Sequence, residues 1–261
     1  MTERRPSKHL GRSCTAAYSE DMSRWLRDLR GDDPNDRAPV VFADAIAALG
    51  QDGDMIVYPD DVRTDRIVGT VGRAGDFDAR FRLVNQALRA RHRSVAHAVA
   101  AGIALPRVEL IQLDEMYFVV DGHHRVSVAR AREQHSVPAI VRRICTTAYA
   151  MWCLRLSHLA SKAAEREFLL RVPLPDDTRA ELWLDRPADW ARLADAAEAW
   201  GFRRGLAGIG PRELGQRWWT DEVVPLVGQL RASGRGVGLR DIELYAADLA
   251  DRDCRAGLTP S

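Results

Sequence analysis

The chain has 261 residues, 46% hydrophobic and 29% charged, ordinary globular proportions that exclude wholesale disorder. Its 38 basic residues nearly cancel its 37 acidic ones, for a formal charge of +1, so no global field draws it to nucleic acid or anionic lipid and only a local basic patch remains open. No apolar run reaches the roughly 20 residues of a membrane span, and MTERRPSKHLGRS carries charge with no apolar stretch behind it, so the expectation is a cytoplasmic protein without a secretory signal or a membrane partner.

In chain order, residues 1–13 are polar and basic. Residues 19–30 then read as a helix, with Ser19 as N-cap and Met22, Trp25 and Leu29 on one stripe. GDDPND at 31–36 is a loop, and Val40 to Leu49 is a short helix closed by Gly50. MIVYPDDV and RIVGTVG bring the first β-branched, strand-like pattern. Residues 76–101 read as one helix stopped by Gly102. Two strands, Val108–Leu113 and Tyr117–Val120, follow with a hairpin spacing across Asp114-Glu115. Val120 runs straight into DGHHR, with a helix from Val126 to about Glu133, and Val137–Ile144 is another strand. Beyond residue 146 the pattern is helical only, at about 147–170, 187–200, 211–231 and 239–250. Pro225 is expected to kink or split its helix.

Six of the seven tryptophans lie in this last part; Trp190 and Trp200 read as core, and the adjacent Trp218 and Trp219 must point two ways. The chain thus divides into an N-terminal helical extension (1–60), a small mixed-sheet core (61–145) and an all-α C-terminal domain (146–261), an α+β architecture. Four scattered cysteines, Cys14, Cys145, Cys153 and Cys254, form neither a disulfide framework nor a zinc knot. All but two of the basic residues are arginine; Lys8 and Lys162 are the exceptions, which leaves almost no candidate for a Schiff-base lysine.

The segment that carries chemistry is strand, DGHHR, helix. A tight turn feeding a helix exposes amide N–H groups that lack intrahelical acceptors, at the positive end of the helix dipole, and this is an anion site. Gly122 permits close backbone approach, Arg125 offers a fork for phosphate, His123 and His124 add donors, and Asp121 is placed to hold a metal or orient a hydroxyl. The catalytic candidates are therefore Asp121, His123 and His124. The anion-binding candidates are Gly122 and Arg125, joined by Gly69, Thr70 and Arg73 from GTVGR. Arg89 and Arg93, four apart on a basic helix, are the candidate nucleic-acid contacts.

The order helix, Gly102, Leu105-Pro106, strand, YFVVDGHHRVSVAR resembles the ParB/sulfiredoxin superfamily over residues 60–145. That family's core of helix, glycine, two strands, a G-x-x-R box and a helix binds a nucleotide with the box at the phosphates; its members include CTP-binding ParB, ATP-using sulfiredoxin and free-serine kinases with a DGHTR box. RIVGTVGRAGDFDARF followed by the basic helix is also similar to ParB-like proteins common in actinobacteria. The resemblance implies a ParB/sulfiredoxin-like fold with a nucleotide ligand (ATP, ADP or CTP) and Mg²⁺ at Asp121. Any catalysis would be phosphoryl transfer or nucleotide hydrolysis. The position of the sulfiredoxin cysteine is His123 here, which removes sulfinate reduction, and no helix-turn-helix spacing follows residue 146. Two other readings stand beside this one. One is a DNA-binding, partition-like or transcriptional regulator that uses Arg89 and Arg93 and dimerises through the α-helical part. The other is a metal-dependent nuclease in which Asp76 or Asp78 joins Asp121.

Overall fold

A computed structural model describes residues 37–53, 55–255 and 257; the helix expected at 19–30, and Cys14, lie outside them. The architecture is mixed α/β. Six strands form one mixed sheet: β1 (Val40–Val41), β2 (Ile56–Arg63), β3 (Ile67–Thr70), β4 (Val108–Leu113), β5 (Met116–Asp121) and β6 (Ser136–Ile144), in the spatial order β1-β3-β5-β4-β6-β2. The β1–β3, β3–β5 and β4–β6 pairs are parallel, and β4–β5 and β2–β6 antiparallel. The sheet takes β1 and most of β2 from ahead of residue 61, upstream of the expected core boundary.

Alternation along the strands places the two layers. On β4, Val108 and Leu110 face one side of the sheet while Ile111 and Leu113 face the other; on β5, Val119 opposes Met116 and Phe118. Both sides are buried, which is why these strands read as nearly continuous apolar runs. Helix α1 (Phe42–Leu49) follows β1 and ends at Gly50, which has positive φ. Helix α2 is Arg89–Ala100, and α3 (His123–Ala131) packs Val126 and Ala129 on the Val108 side. The opposite side is covered by α1 and the C-terminal helices α4 (Leu159–Arg171), α6 (Pro187–Arg203), α7 (Pro211–Trp218), α8 (Val224–Ala232) and α9 (Asp241–Arg255), with the one-turn α5 (Asp176–Ala180) between α4 and α6. Sheet and helices share one apolar cluster, in which Trp183, Trp190, Trp200 and Trp218 are buried and Trp219 packs against its border.

Three expectations are corrected. The helix expected at 76–101 exists only as α2. Residues 76–85 instead make a compact loop and 86–88 a single 3-10 turn, because the Asp78 carboxylate accepts the amides of Arg80 and Arg82 at 2.9 and 2.8 Å and Asn85 caps the turn by accepting the amide of Ala87 at 3.1 Å. Such local bonds compete with the helical ladder, and Phe81, at φ 57°, turns its ring into the core. The helix expected from 147 begins at 159, because 146–150 is drawn along the β4–β5 turn: Asp114 accepts from Thr146 Oγ1 and from the amide of Ala150. The helix expected from Val126 begins three residues earlier, at His123. Pro225 is the second residue of α8, which starts directly after a π-helical turn, Trp219–Val223, that separates it from α7. None of the described cysteines forms a disulfide, and no helix among the described residues is long and apolar enough to cross a membrane.

Candidate functional site

The parallel strands β3 and β5 end side by side, and the chain leaves β5 through Asp121-Gly122 into α3. Gly122 is the N-cap, at φ 97°, and no side chain caps the helix. A Cβ there would stand 2.6 Å from Val108 Cγ1 and 3.0 Å from the Arg125 guanidinium, so the turn needs glycine for its backbone sign and for its close approach. The result is an uncapped helix start at the carboxyl end of parallel strands, where first-turn amides and the helix dipole favour an anion.

Thr70, at the end of β3, ties this turn to the next loop. Its Oγ1 accepts the amides of Gly72 and Arg73 at 3.3 and 3.1 Å and lies 2.7 Å from His123 Nε2. Two accepted bonds use both hydroxyl lone pairs, so the Thr70 proton points to Nε2. His123 is thereby held neutral, with its own proton on Nδ1. Burial, and next the positive Arg73, push its pKa down to about 4, in agreement with a neutral ring. The Phe77 ring stacks on His123 at 5.8 Å and meets His124 edge-on at 5.4 Å.

His124 is 7% exposed, and neither ring nitrogen has a hydrogen-bond partner. It meets the His92 ring edge-on at 5.8 Å, and His92 Nε2 is 3.0 Å from Ser127 Oγ. Burial lowers the His124 pKa first, and positive charge from His92, Arg91 and Arg73 lowers it further. Arg73 and Arg91 make the neighbourhood electropositive, with Asp76 opposing at both histidines and Asp121 at His123. Asp76 is itself engaged, with the Asn85 amide at 2.8 Å and Arg73 at 3.4 Å. Helix α2 lies over α3 with no buried residue, and its Arg89, Arg91 and Arg93 are exposed without a carboxylate partner among the described residues.

The structure brings Thr70, Arg73, Gly122, His123 and His124 together. Arg125 is committed elsewhere: it donates to the carbonyls of Pro106 and Arg107, the latter at 2.8 Å, and pairs with Asp121 at 2.5 Å. It thus brackets the lead-in to β4 onto the turn. Gly69 lies inside the sheet opposite Val40, where a Cβ would stand 2.3 Å from the Val40 carbonyl and 2.4 Å from the Phe118 ring; it serves strand packing. Asp78 pairs with Arg82 at 2.6 Å. No group of three His, Cys, Asp or Glu side chains placed to hold a metal occurs among the described residues.

No protein-family model matches the chain, and no curated protein does. Phe77 and Ser127 are the participants that the motif alone did not mark. Phe77 sits in GDFDARF, where the aspartate spacing already signals side chain–backbone turns rather than helix.

The two neutral, buried imidazoles of His123 and His158, each with its pKa pushed down to about 4 mainly by burial, set an acid limit. Their folded values lie below the unfolded value near 6.5, so their contribution to stability is present above about pH 6.5 and is lost as pH falls through about 4. Urea unfolding at pH 7, 5.5 and 4.5 is expected to show that fall. His123→Gln lessens the slope in that window, and an unchanged slope would remove His123 from the explanation.

Proposed function

We propose that this chain is a nucleotide-binding protein of the ParB/sulfiredoxin-like type that seats its ligand's phosphates at the start of α3. The observation that carries this reading is the unpartnered, buried His124 beside an uncapped helix start, in an electropositive surround. An anion there would receive first-turn amides, the dipole, and the guanidiniums of Arg73 and Arg91, and its charge would favour a protonated His124. Exposed Val71 and Val120, at the ends of β3 and β5, offer an apolar ledge for the rest of a nucleotide. Arg125 acts in this reading as a positioning residue, since its guanidinium is spent on Asp121 and two carbonyls.

Asp121, paired with Arg125, does not make a resident metal site. Mg²⁺ would arrive on the phosphates with its waters, as it does where few protein carboxylates are offered. If turnover follows, phosphoryl transfer or hydrolysis suits a site built from positioning and positive charge. The second reading is contact with nucleic acid along α2, favoured by Arg89, Arg91 and Arg93, which are exposed without a carboxylate partner among the described residues.

The test is a thermal-shift and calorimetric panel with ATP, ADP and CTP, each with and without Mg²⁺. A ligand at a hundred times its Kd adds about 2.7 kcal/mol, a shift of several degrees for a chain of this size. Arg73→Gln/Arg91→Gln is expected to abolish that shift while keeping the unliganded Tm. No shift with any nucleotide sinks the proposal. DNA retention with a steep salt slope, lost in Arg89→Gln/Arg93→Gln, would favour the second reading.

A further inference from the structure

A second electropositive feature lies away from the α3 start. A cavity of about 700 Å³ opens between β1, the first two residues of β3, the 78–82 loop, the far part of α3 and the 152–156 segment. That volume is within the range of small-molecule sites. Five arginines and two aspartates line it, an excess of three positive charges in a chain whose whole formal charge is +1. Both aspartates are answered by their own neighbours: Asp65 pairs with Arg63 at 2.5 Å and Asp78 with Arg82 at 2.6 Å.

The arginines divide by role. Arg130 forms a fixed wall, donating to the carbonyls of Thr64 and Ile67 at 2.6 Å each while its guanidinium lies 5.1 Å from the Phe81 ring centre. Arg37, Arg80 and Arg155 also line the cavity, without a carboxylate partner among the described residues. The Nε of Arg155 is buried and makes no hydrogen bond. A guanidinium N–H withdrawn from water with no acceptor is unfavourable, and three cations on one concavity, with no carboxylate partner among the described residues, repel one another. A ligand with several negative oxygens relieves both costs. Ile67, Leu154 and Leu156 add an apolar floor, which suits an organic body better than a bare ion.

We infer that this cavity is a binding site for a small organic polyanion, a molecule carrying two or more phosphate or carboxylate groups, held by Arg37, Arg80 and Arg155. It is separate from the α3 start: His123 and Arg130 are seven residues apart on one helix, roughly 10 Å along its axis. The 73–85 loop joins the two places, with Phe77 on the histidines and Phe81 beneath Arg130.

The experiment titrates the full chain with citrate and with pyrophosphate, and with a short single-stranded oligonucleotide as the competing class. Binding is read by calorimetry and by alkylation of Cys153, which lines the cavity, with the exposed Cys254 as internal control. Saturable binding of citrate or pyrophosphate is expected, with Cys153 slowed and Cys254 unchanged. Arg80→Gln, at an exposed position, weakens it about tenfold, the loss of one charge-assisted contact, with the unliganded Tm as the check on folding; Arg80→Gln/Arg155→Gln weakens it further. Arg73→Gln/Arg91→Gln leaves the Cys153 effect intact, so failure at the α3 start is told apart from failure here. The inference is overturned by absence of saturable binding, by binding that Arg80→Gln leaves unchanged, by an unprotected Cys153, or by an oligonucleotide that binds where citrate and pyrophosphate do not.

Discussion

Replacing Lys162 with methionine is expected to cost about 3–5 kcal/mol of folding stability at neutral pH, the range for removing one member of a buried ion pair. Lys162 and Glu165 are 2% and 1% exposed, with Nζ 2.7 Å from Oε2. The ammonium also sits 5.4 Å from the Trp183 ring centre, and that ring meets His158 edge-on at 4.9 Å. Glu165 Oε1 and His158 Nε2 have no hydrogen-bond partner, so beyond Lys162 the carboxylate is aided only by a backbone hydrogen bond at Tyr149 and by the positive Arg179 among the described residues. Burial raises the Glu165 pKa, and Lys162 is the chief influence opposing that rise.

Without the cation the carboxyl takes up a proton in the folded state. Its folded pKa then lies above the unfolded value near 4.3. The stability that the neutral acid retains is present below that unfolded value and is lost as pH rises through the folded one. The deficit of Lys162→Met against the unaltered protein should therefore be small near pH 4.5 and grow toward pH 8 in urea titrations. Lys162→Met/Glu165→Leu should recover most of the loss, since an apolar pair of similar volume often replaces a buried ion pair at no net cost. A double variant as unstable as the single one would mean that packing around Trp183, rather than charge, is what Lys162 supplies.

The same cluster shows what was legible in the sequence and what was not. His158, Ser161, Lys162 and Glu165 recur at helical spacing, and lysine is so rare in this arginine-rich chain that its use at one helical position was itself a signal. Lysine's scarcity pointed away from Schiff-base chemistry, but it did not show that the one lysine in this segment is buried.

The strands around Asp114-Glu115, the turn at DGHHR and the tryptophan core were readable because period-two alternation, glycine at a strand–helix junction and apolar stripes are local properties. The fates of Arg125 and Gly69 were not local. The Arg125 partners at Pro106 and Arg107 lie 19 and 18 residues upstream, and Gly69 is constrained by a strand 29 positions earlier, through Val40. A guanidinium near a turn suits phosphate and backbone carbonyls equally well, and only the fold decides which it meets. The segment at 76–88 failed as a helix for a reason that was visible, the Asp78 and Asn85 side chains, but apolar spacing outweighed it in a one-dimensional reading. The burial of both histidines depends on Phe77, which reaches them from a segment some 46 residues earlier.

Gly122→Ala is expected to cost about 2–5 kcal/mol, combining roughly 1–2 for a left-handed alanine with a packing penalty of roughly 1–3 for the intruding methyl. The two contributions separate by comparison with Gly205→Ala. Gly205 has a similar positive φ of 72°, but a Cβ there meets nothing within 4 Å, whereas at Gly122 it meets Val108 Cγ1 at 2.6 Å and the Arg125 guanidinium at 3.0 Å. Gly205→Ala should therefore show the backbone cost alone, about 1–2 kcal/mol in urea unfolding. The excess at position 122 measures how tightly the turn is pressed between β4 and Arg125. That pressure also has a functional consequence. A methyl at 122 can be relieved only by moving Val108 or by loosening Arg125 from Asp121 and the two carbonyls, and either movement displaces the first amides of α3. Nucleotide binding by Gly122→Ala should fall well beyond its loss of stability, whereas Gly205→Ala binds as the unaltered protein does. Equal stability losses at the two glycines would show that the Arg125 bracket yields freely. Arg125 would then be available to a ligand after all, as its place in DGHHR first suggested.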